Sequence, residues 1–220
     1  MDWSPLLLSF QVASIATVIA AVVGIGIGAL LVNPRVPGRD VVDVLVTTPM
    51  ILPPTVLGYY VLVAVGRRSA IGTAFESLTG SPIVFTRTGA VLAATLGALP
   101  LVVKSARAAL EAVDPVLVQV ARTLGAGAAR SFFAVRLPLA SGGIIAGLML
   151  AFARSLGDFG VTLMIAGDIP GETQTASLAI FGAIQANREE EALGMIAVLS
   201  VVAVVTLYTT NKLAAKSRVG

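Results

Sequence analysis

The 220-residue sequence contains neither cysteine nor histidine, and each absence removes a kind of chemistry. Without cysteine there is no disulfide and no thiolate metal ligand. Without histidine the commonest general base and the commonest metal ligand are also missing, so we expect no catalytic residues and no metal site. Charged residues are scarce as well, at 12% of the chain against about 25% in a typical soluble domain.

The sequence has long apolar runs instead, and its mean hydropathy is +0.93. Runs of about 18 or more apolar residues predict membrane-spanning helices, because a helix rises about 1.5 Å per residue and the hydrocarbon core is about 30 Å thick. We therefore expect an all-α, polytopic transmembrane bundle that forms a single domain over residues 1–220. The predicted spans are residues 6–32, 41–65, 89–103 with an extension to 110, 139–156 and 193–210.

The distribution of lysine and arginine predicts the orientation, since cytoplasmic loops carry the excess of these residues. The prediction places the N-terminus outside and the C-terminus inside. The cytoplasmic side then holds Arg35, Arg39, Lys104, Arg107, Arg122, Arg130, Arg136, Lys212, Lys216 and Arg218. The outer side holds Arg67, Arg68, Arg87 and Arg188.

Two further expectations follow from this topology. The stretch 176–186 is too short to span the membrane, so we expect it to be a short helix at the outer face. The net charge of +3 reflects the topology of the loops. Since no basic stripe with interleaved aromatic residues is present, no nucleic-acid partner is expected.

A stretch that contains arginines and glycines, residues 114–138, separates the third and fourth apolar runs. Asp114 and Pro115 are typical of a helix start, as the N-cap and the first helical residue. The helix is expected over 116–124. It is expected to end at Gly125, because glycine adopts the left-handed conformation of a helix end at low cost.

A second short helix is expected over 128–135, with Phe132 and Phe133 side by side, and Pro138 is expected to break it from the next span. Such a helix–turn–helix unit at the cytoplasmic face is suited to docking into a partner protein. An amphipathic helix that lies on the lipid surface has a similar pattern, so the pattern alone leaves this alternative open.

The spacing of this stretch resembles the "EAA" signature, EAA-x3-G-x9-I-x-L-P, of bacterial ABC-importer permeases. The similar positions are 119–121, Gly125 and 135–138, with Gln119 in place of the family's Glu and Val120 in place of an Ala. The resemblance implies a type I ABC importer fold, in which residues 114–138 form the coupling loop that sits in a groove of the ATP-binding subunit. The residues it assigns to coupling are Gln119, Ala121, Arg122, Leu124, Gly125, Ala126, Phe132, Phe133, Leu137 and Pro138.

The segment ARSLGDFGVTLMIAGDIPGETQTASLAIF, residues 153–181, is similar to the molybdate/tungstate permeases of that family. Asp158 and Asp168 stand where those permeases typically have Glu and Asn. The resemblance implies an ATP-driven importer of molybdate or tungstate, and sulfate/thiosulfate permeases are the relatives most easily confused with it. Further similar stretches are LPPTVLGYYVLV at 52–63, GRRSAIG at 66–72 and ARTLGAG at 121–127.

The resemblance also implies an assembly in the cytoplasmic membrane of a bacterium or archaeon. Two copies of this chain would form the pore, with two ABC ATPase subunits beneath and a periplasmic or extracellular molybdate-binding protein above. The chain itself has no P-loop, because none of its lysines follows a glycine. No cofactor is therefore expected on this chain, and ATP and Mg²⁺ would bind to the partner ATPase.

Residues that interrupt the spans are candidates for the translocation path. Pro49, Pro53 and Pro54 break the second run, which indicates either a plain kink or a helix end that lines the path. Arg154 and Asp158 lie on one helical face and are expected to pair. Either they only neutralise each other, or Arg154 presents its charge to a passing dianion. The path candidates are Pro53, Pro54, Arg154 and Asp158.

Gly24, Gly26 and Gly28 in the first run are expected to let another helix approach closely. A secondary transporter or a channel is the alternative from a different functional class. Proton-coupled transporters carry ionisable residues in their spans, and here Asp43 and Asp158 are nearly the only acidic ones. A membrane-embedded enzyme is not supported, since the sequence offers no cluster of catalytic side chains.

Overall fold

The computed structural model describes residues 2–216, with side chains described as far as Lys212. Over these residues the regular structure is entirely helical, which confirms the predicted all-α class. The elements are α1 (Ser4–Val32), α2 (Arg39–Ile51), α3 (Pro54–Val65), α4 (Ala70–Thr79), α5 (Arg87–Glu111), α6 (Pro115–Thr123), α7 (Ala128–Ser131), a π-helical turn (Phe132–Arg136), α8 (Leu137–Leu156), α9 (Gly160–Ala166), α10 (Ala176–Gln185) and α11 (Glu189–Lys216).

Four of the predicted spans lie in continuous helices that are long and apolar enough to cross a membrane. The remaining one, the second, is covered by α2 and α3, which are bent by 119° relative to each other. Leu52 and Pro53 between them are extended, with ψ of 139° and 137°. The prolines explain the break, because a proline lacks the N–H of a helical bond and disfavours helical conformation in the residue before it.

α1 and α5 pack side by side and run in the same direction. Leu8 and Ala90 share an apolar cluster near the first turns of these helices, and Gly28 meets Ala106 towards their last turns. The chain that connects the end of α1 to the start of α5 must therefore return from one end of the bundle to the other. The broken pair α2–α3 makes this return, so the described chain crosses the bundle five times, as predicted.

Two of the three glycines in α1 make this helix contact close. A Cβ on Gly24 would lie 2.8 Å from Val102 Cγ1, and one on Gly28 would lie 3.1 Å from the backbone nitrogen of Arg107. Gly26 has no such neighbour within 4 Å, because residues two apart point to different sides of a helix. The predicted close approach is confirmed for Gly24 and Gly28 and is wrong for Gly26.

The end of the bundle at which α1 and α5 finish carries an ionic cluster. Asp43 of α2 accepts a hydrogen bond from Lys104 Nζ at 2.7 Å and another from Arg107 Nη1 at 3.0 Å. Residues 114–138 follow α5 at this same end, so the basic residues assigned to the cytoplasmic side lie together. Arg218 and the side chain of Lys216, which belong to that assignment, lie outside the described residues.

The opposite end carries the short helix expected at the outer face. This helix is α10, and its first amide, that of Ala176, donates a hydrogen bond to Ser9 Oγ of α1 at 2.8 Å. Arg87, at the start of α5, donates to the carbonyl oxygens of Gly171 and Glu172 and so ties the loop before α10 to the bundle. Which end faces the cytoplasm stays a prediction from the distribution of basic residues.

Candidate coupling loop and translocation cavity

The first helix of the 114–138 segment forms as predicted. The Asp114 side chain accepts a hydrogen bond from the Val116 amide at 2.8 Å, and α6 runs from Pro115 to Thr123, within a residue of the expected bounds. Val118 packs against the apolar cluster at this end of the bundle, but no residue of α6 is buried. The helix is thus attached to the bundle along one side and otherwise projects from it.

Gly125 shapes the turn that follows α6. Its φ is +88°, in the left-handed region expected from the sequence. The Gly125 amide donates to the Arg122 carbonyl and the Ala126 amide to the Ala121 carbonyl, each at 3.0 Å. This pair of bonds is a Schellman motif, which satisfies carbonyl groups at the helix end and fixes the direction of the outgoing chain.

The helix does not break at Pro138, and this part of the prediction is wrong. α7, the π-helical turn and α8 form one continuous helix from Ala128 to Leu156. Within it the Leu137 amide donates to the carbonyl of Phe132, five residues earlier. Such a widened turn relieves the clash between a proline ring and the preceding helical turn, so the helix continues past Pro138. The loop therefore leads directly into the fourth span.

Contacts at the π-helical turn anchor the loop to α5. Arg136 Nε donates to the Leu110 carbonyl at 3.0 Å, and Phe132 packs against the cluster that includes Leu110 and Ile144. The Phe132 and Phe133 rings lie side by side as expected, with centroids 5.1 Å apart and planes at 86°. A rigid base therefore supports the exposed part of the segment.

The ten predicted coupling residues fall into two sets by exposure. Leu124 and Phe133 are large apolar residues that are 83% and 66% exposed, which is unusual unless another surface covers them. The exposed set is Gln119, Arg122, Leu124, Gly125, Phe133 and Pro138, and the half-buried set is Ala121, Ala126, Phe132 and Leu137. Their role in coupling stays a prediction.

A cavity of about 200 Å³ lies beside the break in the second span. Gly97 of α5 lies ten residues after the start of that helix and fourteen before its end. At about 1.5 Å per residue the cavity is thus roughly 15 Å from one end of α5 and roughly 21 Å from the other, near mid-depth. The residues that line it include Pro49, Pro54, Gly97, Leu101, Arg154 and Val161.

Arg154 and Asp158 pair, as the sequence predicts. Arg154 Nη1 donates to Asp158 Oδ1 at 2.9 Å. The other carboxylate oxygen, Oδ2, accepts from the Thr162 amide at 3.1 Å and from Thr162 Oγ1 at 2.7 Å. The Asp158 side chain is only 3% exposed, whereas that of Arg154 is 42% exposed. The carboxylate is therefore enclosed, and the guanidinium faces the cavity.

The four path candidates do not all reach this cavity. Pro54 and Arg154 line it, Pro53 lies at the break just before α3, and Asp158 lies behind Arg154. The structure thus brings the proline break and the charged pair together, although they are about 100 residues apart in the sequence. Their role in translocation stays a prediction.

The geometry agrees with a comparison to known protein families. The family model described as "Binding-protein-dependent transport system inner membrane component" matches residues 13–213. The chain belongs to this family. It is accordingly a multi-pass inner-membrane permease.

Individual relatives of this chain support the same family membership. The Molybdenum transport system permease protein ModB of Escherichia coli (strain K12) is 43% identical over 218 residues, which cover 99% of this chain and 95% of that protein. The protein of the same name from Haemophilus influenzae is 39% identical, over 92% of this chain and 88% of its own length.

A solved structure confirms the ABC importer permease fold. The inward-facing MetNI methionine ABC transporter matches with a TM-score of 0.69 over 95% of this chain and 94% of that chain. The identity is 15%, so this likeness concerns the fold alone.

Some residues of the permease surfaces were missed by reasoning from the sequence. Val116, Leu117 and Val120 extend the exposed apolar face of α6, being 57%, 47% and 50% exposed. The spacing of these apolar residues along one face of a helix could have identified them from the sequence. Gly97 and Leu101 line the cavity, but no local pattern distinguishes them from other residues of an apolar span.

Proposed function

We propose that this chain is the permease subunit of an ATP-driven importer of molybdate or the similar oxyanion tungstate. The observation that carries the proposal is the 43% identity, over nearly the full length of both chains, to a permease named for molybdenum transport. In the proposed assembly two copies of the chain form the pore. Two ABC ATPase subunits bind at the 114–138 end, and an oxyanion-binding protein delivers the substrate at the other end.

The exposed loop supports the ATPase as the partner at this end. Leu124 and Phe133 project apolar side chains, and Arg122 and Arg130 on the same segment are exposed cations. Apolar anchors with a polar rim are typical of protein interfaces. The Gly125 turn holds the loop in one shape, so docking does not first have to order it.

The helix that follows gives this loop a mechanical connection to the cavity. It is continuous from Ala128 to Leu156 and carries Arg154 in its last turn. At about 1.5 Å per residue it is roughly 40 Å long. A movement of the loop would therefore shift Arg154 relative to the broken span. ATP binding by the partner can drive this shift only if the ATPase dimer prefers one arrangement of the bundle.

Chemical selection and ATP hydrolysis are assigned to the partners. The sequence contains no P-loop motif, so ATP and Mg²⁺ would be bound by the ATPase. The binding protein would choose the oxyanion. The permease itself then needs only to alternate the access of its path between the two sides.

Uptake by the reconstituted assembly tests the proposal. The chain is incorporated into proteoliposomes with an ABC ATPase and an oxyanion-binding protein from the same genome, and accumulation of labelled molybdate is followed. We expect uptake that requires ATP and is not competed by excess sulfate. Sulfate uptake at an equal or higher rate would identify a sulfate permease. Uptake that persists without ATP and without the ATPase would identify a secondary transporter or channel.

A further inference from the structure

Arg154 is a cation near mid-depth in the bundle, where a charged side chain is costly unless it is compensated. Asp158 compensates it, but the two partners are not equivalent. Both oxygens of the carboxylate are occupied, one by Arg154 and the other by the amide and hydroxyl of Thr162. Thr162 therefore stabilises the carboxylate at the oxygen that does not face Arg154, and part of the negative charge is offset independently of the arginine.

The guanidinium retains capacity to bind a further group. An arginine has five N–H donors, and within the described part of the chain Arg154 donates one hydrogen bond, to Asp158. Gly97 lies beside the guanidinium: a Cβ at that position would be in ordinary contact with Arg154 Nη2 at 3.6 Å, and a larger side chain would occupy part of the cavity.

Resting on the proposed function, we propose that Arg154 forms a transient binding site for the tetrahedral oxyanion partway along its path. The planar fork of a guanidinium donates two parallel hydrogen bonds to two oxygens of an oxyanion. Asp158 acts as the positioning residue that holds this fork towards the cavity. The carboxylate also weakens the attraction for an anion, which suits a site that must release its ligand again.

Measuring the electrostatic potential at the cavity tests this site directly. Because the chain has no cysteine, a Leu101→Cys variant carries one thiol, in the wall of the cavity. In the assembled transporter this thiol is labelled with a methanethiosulfonate that bears a sulfonate or with one that bears a trimethylammonium group. Labelling of this chain is read by mass, and the ratio of the two rates reports the sign of the local potential.

Neutralising the arginine should change this ratio. We expect Arg154→Gln to lower the preference for the anionic reagent by about fivefold or more, as expected for loss of a charge in the wall of the same cavity. Millimolar molybdate should slow labelling when Arg154 is present and have no effect when it is absent. The variant Arg154→Gln with Asp158→Asn removes both charges without leaving the carboxylate unpaired. Its labelling ratio should lie between those of the wild type and the single variant, since only the single variant leaves an uncompensated carboxylate, and molybdate should not slow its labelling. Ser77→Cys, on exposed α4, is the control position whose ratio should not change.

Two results overturn the site. One is a labelling ratio at Leu101→Cys that is the same with and without Arg154, and the other is molybdate protection that survives the Arg154→Gln substitution. A failure of the proposed function looks different, because the wild-type assembly would then accumulate no molybdate. The labelling would still decide whether Arg154 binds the anion.

Transport supplies a second readout with a matched control. Arg188, the residue before α11, forms an exposed ion pair with Glu191 in the first turn of that helix at 3.1 Å, away from the cavity. We expect Arg154→Gln, alone or with Asp158→Asn, to reduce molybdate uptake at least about tenfold, as for removal of a charged hydrogen-bond donor. Arg188→Gln should leave uptake within about twofold of wild type. Full uptake by the double variant would remove Arg154 from the path.

Discussion

Gly125 and Gly80 adopt the same left-handed backbone conformation at opposite ends of the molecule. Each follows a helix in the left-handed conformation, with φ of +88° and +75°, and neither has an atom within 4 Å of the position that a Cβ would occupy. A substitution at either site therefore acts through backbone conformation and not through a clash. Only Gly125 lies in the proposed docking loop.

We expect Gly125→Val to weaken ATPase association while Gly80→Val does not. A β-branched residue in this conformation costs roughly 1–2 kcal/mol, and the chain can escape the cost by opening the turn. Both variants should insert into the membrane, and both should unfold at slightly lower temperature. Co-purification of the ATPase is the measurement. Equal retention of the ATPase by the two variants would mean that the shape of the Gly125 turn does not matter for docking.

At the scale of the elements, apolar composition and proline positions predict much of the architecture. A run of about 20 apolar residues has few alternatives to a membrane span, so the five crossings could be read from the sequence. The break at Pro53 and Pro54 could be read as well, because proline acts locally. The continuation through Pro138 could not, since a π-helical turn depends on how the surrounding helix is anchored, here by Arg136 on Leu110.

The cavity shows the same limit of prediction. The pairing of Arg154 with Asp158 is a local property, because the residues are one helical turn apart. Its position opposite Gly97 and the proline break depends on the packing of four separate segments. No sequence pattern near Gly97 or Leu101 predicts that packing. Local chemistry could therefore be predicted, whereas the residues that share the cavity required the tertiary structure.

The contact between α1 and α5 permits a test in which one glycine is the control for another. A Cβ at Gly24 would lie within 3 Å of two atoms of Val102, whereas a Cβ at Gly26 has nothing within 4 Å. We expect Gly24→Ala to lower the melting temperature of the purified chain in detergent, since overpacking costs about 1–3 kcal/mol. Gly26→Ala should leave it unchanged or raise it, because alanine favours the helix by about 0.5–1 kcal/mol. Equal shifts in both variants would contradict the close packing of these helices.

At the scale of the whole molecule, the parallel packing of α1 and α5 determines the number of crossings. Two adjacent helices that run in the same direction need a connection that returns across the membrane, and the broken pair α2–α3 provides it. The 119° bend could otherwise be taken for a re-entrant loop. With five crossings, α4 lies on the same side of the membrane as the start of α1, and α5 places the 114–138 segment on the opposite side.

Single cysteines placed on these two surfaces test the topology in the intact chain, which has no thiol of its own. Ser77 in α4 and Thr123 in α6 are both exposed and lie at opposite ends of the bundle. We expect a membrane-impermeant maleimide to label Ser77→Cys in intact cells and Thr123→Cys only after permeabilisation, because the basic residues near Thr123 predict a cytoplasmic location. The unsubstituted chain should remain unlabelled throughout. Labelling of both positions from the same side would mean that α5, which lies between them, does not cross the membrane. The reverse pattern would mean either an inverted orientation or a pair α2–α3 that re-enters without crossing.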